Sequence, residues 1–506
     1  MLEQALYAVE AGATLVTANR RLARSLRHAY DTRQRARGLQ AWSTADILPW
    51  GAWLMRLWDD REGVLSALQE QTLWEETVLE THPELVAPTA AARHTNEAWN
   101  LVHAWRIALD HGNFAGDHAI FLEWSAAYFA RCAGRLDAAR LPDRLIQIAR
   151  DIAPDNDILL AGFDELDPQQ RELTAALNCR EVAISRNRPA SCCVRFGCAD
   201  LQAEMTRAAL WARALFEEKN EPRIGIVLPN LHKERAAVAK IFDDVLCPAR
   251  GLSGNAERPY NMSLAPPLLG APIIAAALAL LELTQDDPSL VKLTGLLRSP
   301  FIAGSESEMA KRALLDAKLR ERGELICSWF LLIPCAQEFA PILAERLAAL
   351  RQEFARTPRA ATPGEWAKVF RKLLRAAGWP GDRALNSEEH QALARWDKLL
   401  NEFSALESCL LDLSYDDAVT RLRRITNDVL FQPESPELPV QVLGLLEARG
   451  QTFDHLWVAG MHDEAWPAPC RPNPFLPLAL QRKFNLPHAT PERELEYAKA
   501  ALRSLL

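Results

Sequence analysis

Seven arginines crowd positions 20 to 37: Arg20, Arg21, Arg24, Arg27, Arg33, Arg35 and Arg37, opposed within that span only by Asp31. Arg20, Arg24 and Arg27 stand at i, i+4 and i+7, which puts them on one helical face opposite Leu22 and Leu26. Guanidinium groups gathered on one face can bind a row of phosphates, a task that needs local charge and not net basicity. The same spacing also suits a solvated face that offsets an acidic chain, and both readings stay open. Trp42, Trp50, Trp53 and Trp58 follow. Indole rings stack on unpaired bases, but Trp50 and Trp53, three apart and beside Leu54 and Leu57, read as a helix core. Trp42 is the ring left for stacking.

Carboxylates that could hold magnesium come after a second apolar run, Asp157–Phe163, as Asp164 and Glu165, with Asp167 beyond. A nucleotide-hydrolysing strand ends directly in its acids. Here the equivalent positions are Ala161 and Gly162, and capping of a helix starting near Pro168 is the favoured reading of Asp164 and Asp167. After the first apolar run, Ala13–Thr17, the chain reads Thr17-Ala18-Asn19-Arg20-Arg21-Leu22-Ala23. It lacks the glycines and the Gly-Lys-Ser/Thr that cradle phosphates and magnesium, so neither ATP nor Mg is expected there. The ten cysteines are scattered, with Cys192, Cys193 and Cys198 the tight group and no CxxC pair. They are expected to be reduced thiols, not metal ligands. His455 and His462 also lack metal spacing.

These residues need elements to hold them. Ala13–Thr17, Asp157–Phe163, Glu181–Ser185, Cys193–Phe196, Arg223–Leu228 and the closing stretch Pro439–Gly460 carry strand patterns, and helical spacing fills Asn19–Arg37 and Gln202–Glu218. Strands alternating with helices predict a parallel α/β sheet covered on both faces. From about Ser66 to Arg150 the pattern is helical, with Trp74, Leu79, Leu101, Trp105, Leu109, Phe121, Trp124 and Phe129 spaced for buried stripes. Pro, Gly and Ser cluster between Pro248 and Pro272 as a crossing loop, and helices dominate again from Ile273 to about Leu430.

The stretch Val440–Pro467 carries a further signal. Leu446-Glu447-Ala448-Arg449-Gly450-Gln451-Thr452-Phe453, then Leu456–Gly460, Asp463-Glu464 and Trp466-Pro467, resembles motif V of the UvrD-like superfamily 1 helicases. The family histidine falls on Leu446, the nucleotide-positioning glutamate on Thr452 and the lysine on Arg449, which resemblance places near a DNA phosphate, although pairing with Glu447 fits equally. Gly162-Phe163 through Leu166-Asp167-Pro168-Gln169-Gln170 resembles a signature of AddB and RecC-type subunits, which keep the helicase fold while their nucleotide sites have often decayed. Ala41–Trp53, with Thr44, is similar to a DNA-contact segment of the helicases, and Leu296–Phe301 to a Leu-Ser-Pro-Phe element of their second-domain insertion. The resemblance covers the chain and extends to a bacterial DNA repair group of the PD-(D/E)XK nuclease type.

What this implies is an α/β fold of two RecA-like, P-loop-NTPase-type domains with large helical insertions. Domain boundaries are expected at 1–190, with an insertion at about 60–150, and at 191–506, with about 191–260 and 436–506 enclosing an insertion at about 262–435. The implied function is a DNA-binding, ATPase-inactive, helicase-like module of a recombinational repair complex. Its partners would be DNA, single-stranded or at duplex ends, and a helicase or nuclease subunit. Candidate DNA contacts are Arg20, Arg24, Arg27, Trp42, Thr44, Arg449 and Gly450. An active helicase with a degenerate nucleotide site and a structural scaffold are the alternatives. The family's Asp and Glu-x-Lys nuclease pair and the cysteines of its iron–sulfur cluster have no counterpart here, as in a fragment or truncated member, so a nuclease metal would need a domain beyond Leu506.

Composition limits the rest. At 506 residues, 49% hydrophobic and 25% charged, the chain is long enough for about two to four domains. The net charge of −8 argues against a generally basic nucleic-acid coat. Ile273–Leu281 is too short for a bilayer span and the N-terminus lacks a signal-peptide layout, so a soluble cytoplasmic protein is expected.

Overall fold

The computed structural model describes residues 2–59, 61, 63–108, 116–152, 156–163, 165–182, 192–217, 222–248, 258–434, 438–448 and 450–505. The chain divides into two compact units, Met1–Leu264 with Pro436–Leu506, and Ala265–Ser435. It is an α/β protein with small parallel sheets and a mostly helical remainder.

In the first unit, short apolar runs become buried strands. Thr14–Thr17 (β1), Ile47–Pro49 (β2), Ile158–Ala161 (β3) and Arg180–Val182 (β4) form a parallel sheet in the order β2-β1-β3-β4. β1 and β3 are buried along their length, which demands cover on both faces. Leu15 and Leu159 pack with Leu6 and Val9 of α1 (Leu2–Glu10) and with Leu22 and Leu26 of α2 (Arg20–Ala36). Val16 and Leu160 pack on the other side with Trp53, Leu54 and Trp58 of α3 (Trp50–Trp58) and with Leu145 and Leu173. β2 escaped the sequence pattern because it is short and ends at Pro49, where α3 begins.

The helical stretch opens on α4 (Ala67–Thr81), where Ser66 and Gln69 form a reciprocal cap. α5 (Pro88–Ala104) and α6 (Asp117–Arg131) follow, with Trp74 stacked on Tyr128 at 3.9 Å and Trp99 edge-on to both, and two short helices, Leu141–Gln147 and Ala149–Ile152, close the stretch. Phe121 and Trp124 are buried as expected, whereas Leu79 and Phe129 are exposed. Each is one residue, and so about 100° round the helix, from a buried neighbour, Val78 or Tyr128. Leu109 lies outside the described residues. Glu70 is buried, accepts the Ala138 amide at 2.7 Å, and has its carboxyl pushed up to about 7, first by burial and further by nearby Asp137.

The second sheet starts with Ile224–Val227 (β5) and Tyr260–Met262 (β6), the latter inside the expected crossing loop. The chain then passes through the second unit, where the strands Ala360–Ala361 (β7) and Leu413–Ser414 (β8) form a two-stranded antiparallel ladder. It returns as Val440–Leu443 (β9) and His455–Val458 (β10), completing a parallel sheet ordered β10-β5-β9-β6. Helices Leu201–Glu217 and Leu231–Leu246 cover one face. Ala501 of helix Pro491–Leu505 and Phe453 pack with Val227 and Leu443. Gly225 is required on β5, since a Cβ there would lie 2.7–2.9 Å from the Phe453 ring.

Cys193–Phe196 does not form the expected strand; residues 192–198 are irregular. Within it, the Phe196 ring lies parallel to that of Trp457. Of Glu181–Ser185, only the first residues belong to β4 and 183–185 lie outside the described residues.

The second unit is built of helices around Trp366, Phe370, Trp396 and Phe403, all fully buried. Its Leu296–Phe301 element ends a helix and forms a loop, in which the Pro300 carbonyl accepts the Ser305 hydroxyl at 2.9 Å. Buried Arg312 donates to the nearby Ala303 carbonyl. No helix among the described residues is long and apolar enough to cross a membrane.

Candidate functional site

Strand order places the site. β1 leads to β2 on one side and β3 returns on the other, so the chain changes direction between β1 and β3. In open parallel sheets such a reversal leaves a crevice at the carboxyl ends of the strands, where ligands bind. In this chain the residues that follow β1 occupy it.

Ala18 and Asn19 join β1 to α2. The Ala18 amide donates to the Ala161 carbonyl at 3.1 Å and the Thr17 hydroxyl to the Asn19 carbonyl at 2.9 Å. The Asn19 side chain accepts from the Leu22 amide at 2.8 Å, so a helix-end donor that could face an anion is satisfied internally. Leu22, 1% exposed, sits against two glycines. A Cβ at Gly162, directly after β3, would fall 2.3 Å from Leu22 Cδ2, and one at Gly450 would fall 3.1 and 3.2 Å from its two methyls. Both glycines have left-handed backbones, with φ of 76° and 71°, a conformation that glycine adopts without steric cost. Arg21 Nη2 donates to Gln441 Oε1 at 2.8 Å, and the Gln441 amide donates to the Leu438 carbonyl at 2.7 Å. The first turn of α2 thus reaches from the first sheet to β9 of the second.

The arginines of α2 differ in their surroundings. Arg20 and Arg24 are exposed, but Arg27 is half-buried and donates to the Ile47 carbonyl at the start of β2. Arg33 and Arg37 reach Glu10 at 3.7 and 2.5 Å, and the Arg33 guanidinium lies 3.6 Å over the Tyr7 ring. Trp42 is half-buried against the α1–α2 core and donates to Asp31 Oδ1 at 2.8 Å. Thr44 is exposed. Gly450 lies on Leu22, whereas Arg449 and Asp164 are outside the described residues. Asp167 accepts the Gln170 amide at 2.7 Å and Gln170 returns a contact at 3.1 Å, a full capping box. Glu165 pairs with Arg493 of the last helix.

Gln441 was not singled out by the sequence, and Arg21 and Leu22 were read there as a member of the arginine cluster and a core-facing residue of α2, not as residues that join the sheets or fill the crevice. The available signal was indirect: a glycine just past each of two strand-and-turn units, and a leucine where a phosphate loop would need glycine. Among the described residues no three His, Cys, Asp or Glu side chains gather as a metal site, and the ten cysteines are free thiols. No protein-family model matches the chain, and no curated protein matches it.

Proposed function

We propose that this chain is a DNA-binding, helicase-like module of the AddB and RecC kind, built on two RecA-like domains, that guides DNA for a nuclease or motor partner and does not hydrolyse ATP. The observation that carries the reading is Leu22. Its side chain fills the space at the reversal of the first sheet, between Gly162 and Gly450, where a nucleotide's phosphates would need open backbone amides. Two parallel four-stranded sheets, each with helices packed against it, are compatible with the RecA-like pair, and Thr452 and Leu446 in place of polar motor residues agree with the loss of nucleotide chemistry. Arg20, Arg24 and Thr44, all exposed, remain the proposed DNA contacts on this side, and cytoplasmic repair the proposed setting.

Titration of labelled single-stranded and forked DNA over a range of salt tests the reading. Binding that weakens steadily as salt rises is expected, because phosphate contacts release counterions, together with no DNA-stimulated ATP hydrolysis. Absence of salt-dependent binding would sink the proposal. Turnover that disappears on changing Asp164 or Glu165 would favour an active helicase.

One observation favours a scaffold instead: Arg27, Arg33 and Arg37 are engaged inside the chain. Charge reversal at Arg20 and Arg24 that leaves DNA affinity unchanged while partner association persists would decide for it.

A further inference from the structure

The second sheet ends at β10, an edge strand whose residues are exposed or half-covered while β5 and β9 are fully buried. Over its outer margin runs a ladder of rings. Phe196, 50% exposed, lies parallel to Trp457 with centroids 5.7 Å apart and planes within 3°. Trp457 leans on Trp211 at 5.5 Å, and Trp211 meets His455 edge-on at 6.2 Å. The Arg207 guanidinium sits 4.5 Å over the Phe196 ring, and Arg195 and Val194 beside it are exposed. The neighbouring carboxylates are engaged with backbone amides: Glu204 accepts from Gly460, Asp454 from Arg223 and Asp200 from Ala203.

We propose that Phe196, Trp457 and Arg207 form a stacking platform for unpaired bases of a single strand, with Arg195 and Arg207 facing its phosphates. The proposal rests on the DNA-binding reading and moves base stacking away from Trp42. Three features favour a nucleic acid. The exposed groups are a ring and a guanidinium, both of which stack on any base. Two exposed arginines flank the rings. The ladder continues inward to half-buried rings that hold the outer one in place. A peptide joining the β10 edge would be read by backbone hydrogen bonds instead.

The test uses the full chain with a labelled oligothymidylate and an abasic strand of the same length. Phe196→Ala is expected to weaken oligothymidylate binding about tenfold, the loss of one stacked base. Its affinity for the abasic strand and the salt dependence of both should stay unchanged, and Phe196→Trp should restore binding. Arg207→Gln is expected to weaken both strands. Oligothymidylate binding that persists undiminished in Phe196→Ala overturns the platform but leaves the DNA-binding reading intact, as does an equal loss on both strands. Failure of the unaltered chain to bind either strand overturns both. Circular dichroism of each variant separates lost binding from lost folding.

Discussion

The two sheets of the first unit share strand number and parallel direction but differ in what occupies their margins. The first closes its own crevice with Leu22, satisfies the helix end with Asn19 and joins β9 through Arg21 and Gln441. The second leaves Phe196 half in solvent over its edge strand. The same architecture thus spends one margin on cohesion and keeps the other for contact.

Replacement at each margin should separate these roles. Leu22→Ala is expected to cost most, about 3 kcal/mol in urea unfolding, through lost burial and a cavity between the glycines. A cost no larger than that of Phe196→Ala would erase the contrast. Next comes Glu70 in the helical stretch, which shows burial acting against a charge. Its folded pKa of about 7 lies above the ordinary 4.5, so the folded state holds a proton that the unfolded state has released between those values. Stability therefore falls as pH rises from about 4.5 through about 7 and stays reduced above it. Glu70→Gln keeps an acceptor for the Ala138 amide and should be more stable than the parent at pH 8, by on the order of 2 kcal/mol, and equal to it in acid. Thermal unfolding across that pH range checks this, and a constant difference between the two proteins would refute it.

Arg21→Ala is a smaller test of the join between sheets. A loss of about 1.5 kcal/mol is expected from its charge-assisted hydrogen bond to Gln441, and a double-mutant cycle with Gln441→Ala should show that the two losses are not additive. The smallest effect belongs to Phe196→Ala, within roughly 0.5 kcal/mol in stability, because half of the ring is already in water. A larger change would mean that the ladder is core and not platform.

Much of the fold was legible. β1, β3, β5, β9 and β10 lie within apolar runs bounded by turn formers, and Asp167 caps its helix as its position before Pro-Gln-Gln implied. β2 and β6 were not legible, since each is a short run bordered by proline-containing stretches and acquires strand form by pairing with β1 or β9. The arginine cluster was legible as charge but not as function. Arg27 and Arg33 occupy positions that local spacing would place toward solvent, yet β2 and α1 come close enough to engage them.

By itself the sequence determined the type of the longer helices and of the apolar strands β1, β3, β5, β9 and β10, because periodicity, caps and glycine positions act over a few residues. It also determined that no glycine-rich phosphate loop follows β1. Only the tertiary structure decided that Leu22 fills the crevice, that Arg21 meets Gln441 from 420 positions away, and that Phe196 lies on Trp457. Those contacts depend on where separate elements pack, and packing distances are set by the whole core and not by the spacing of residues along any one segment.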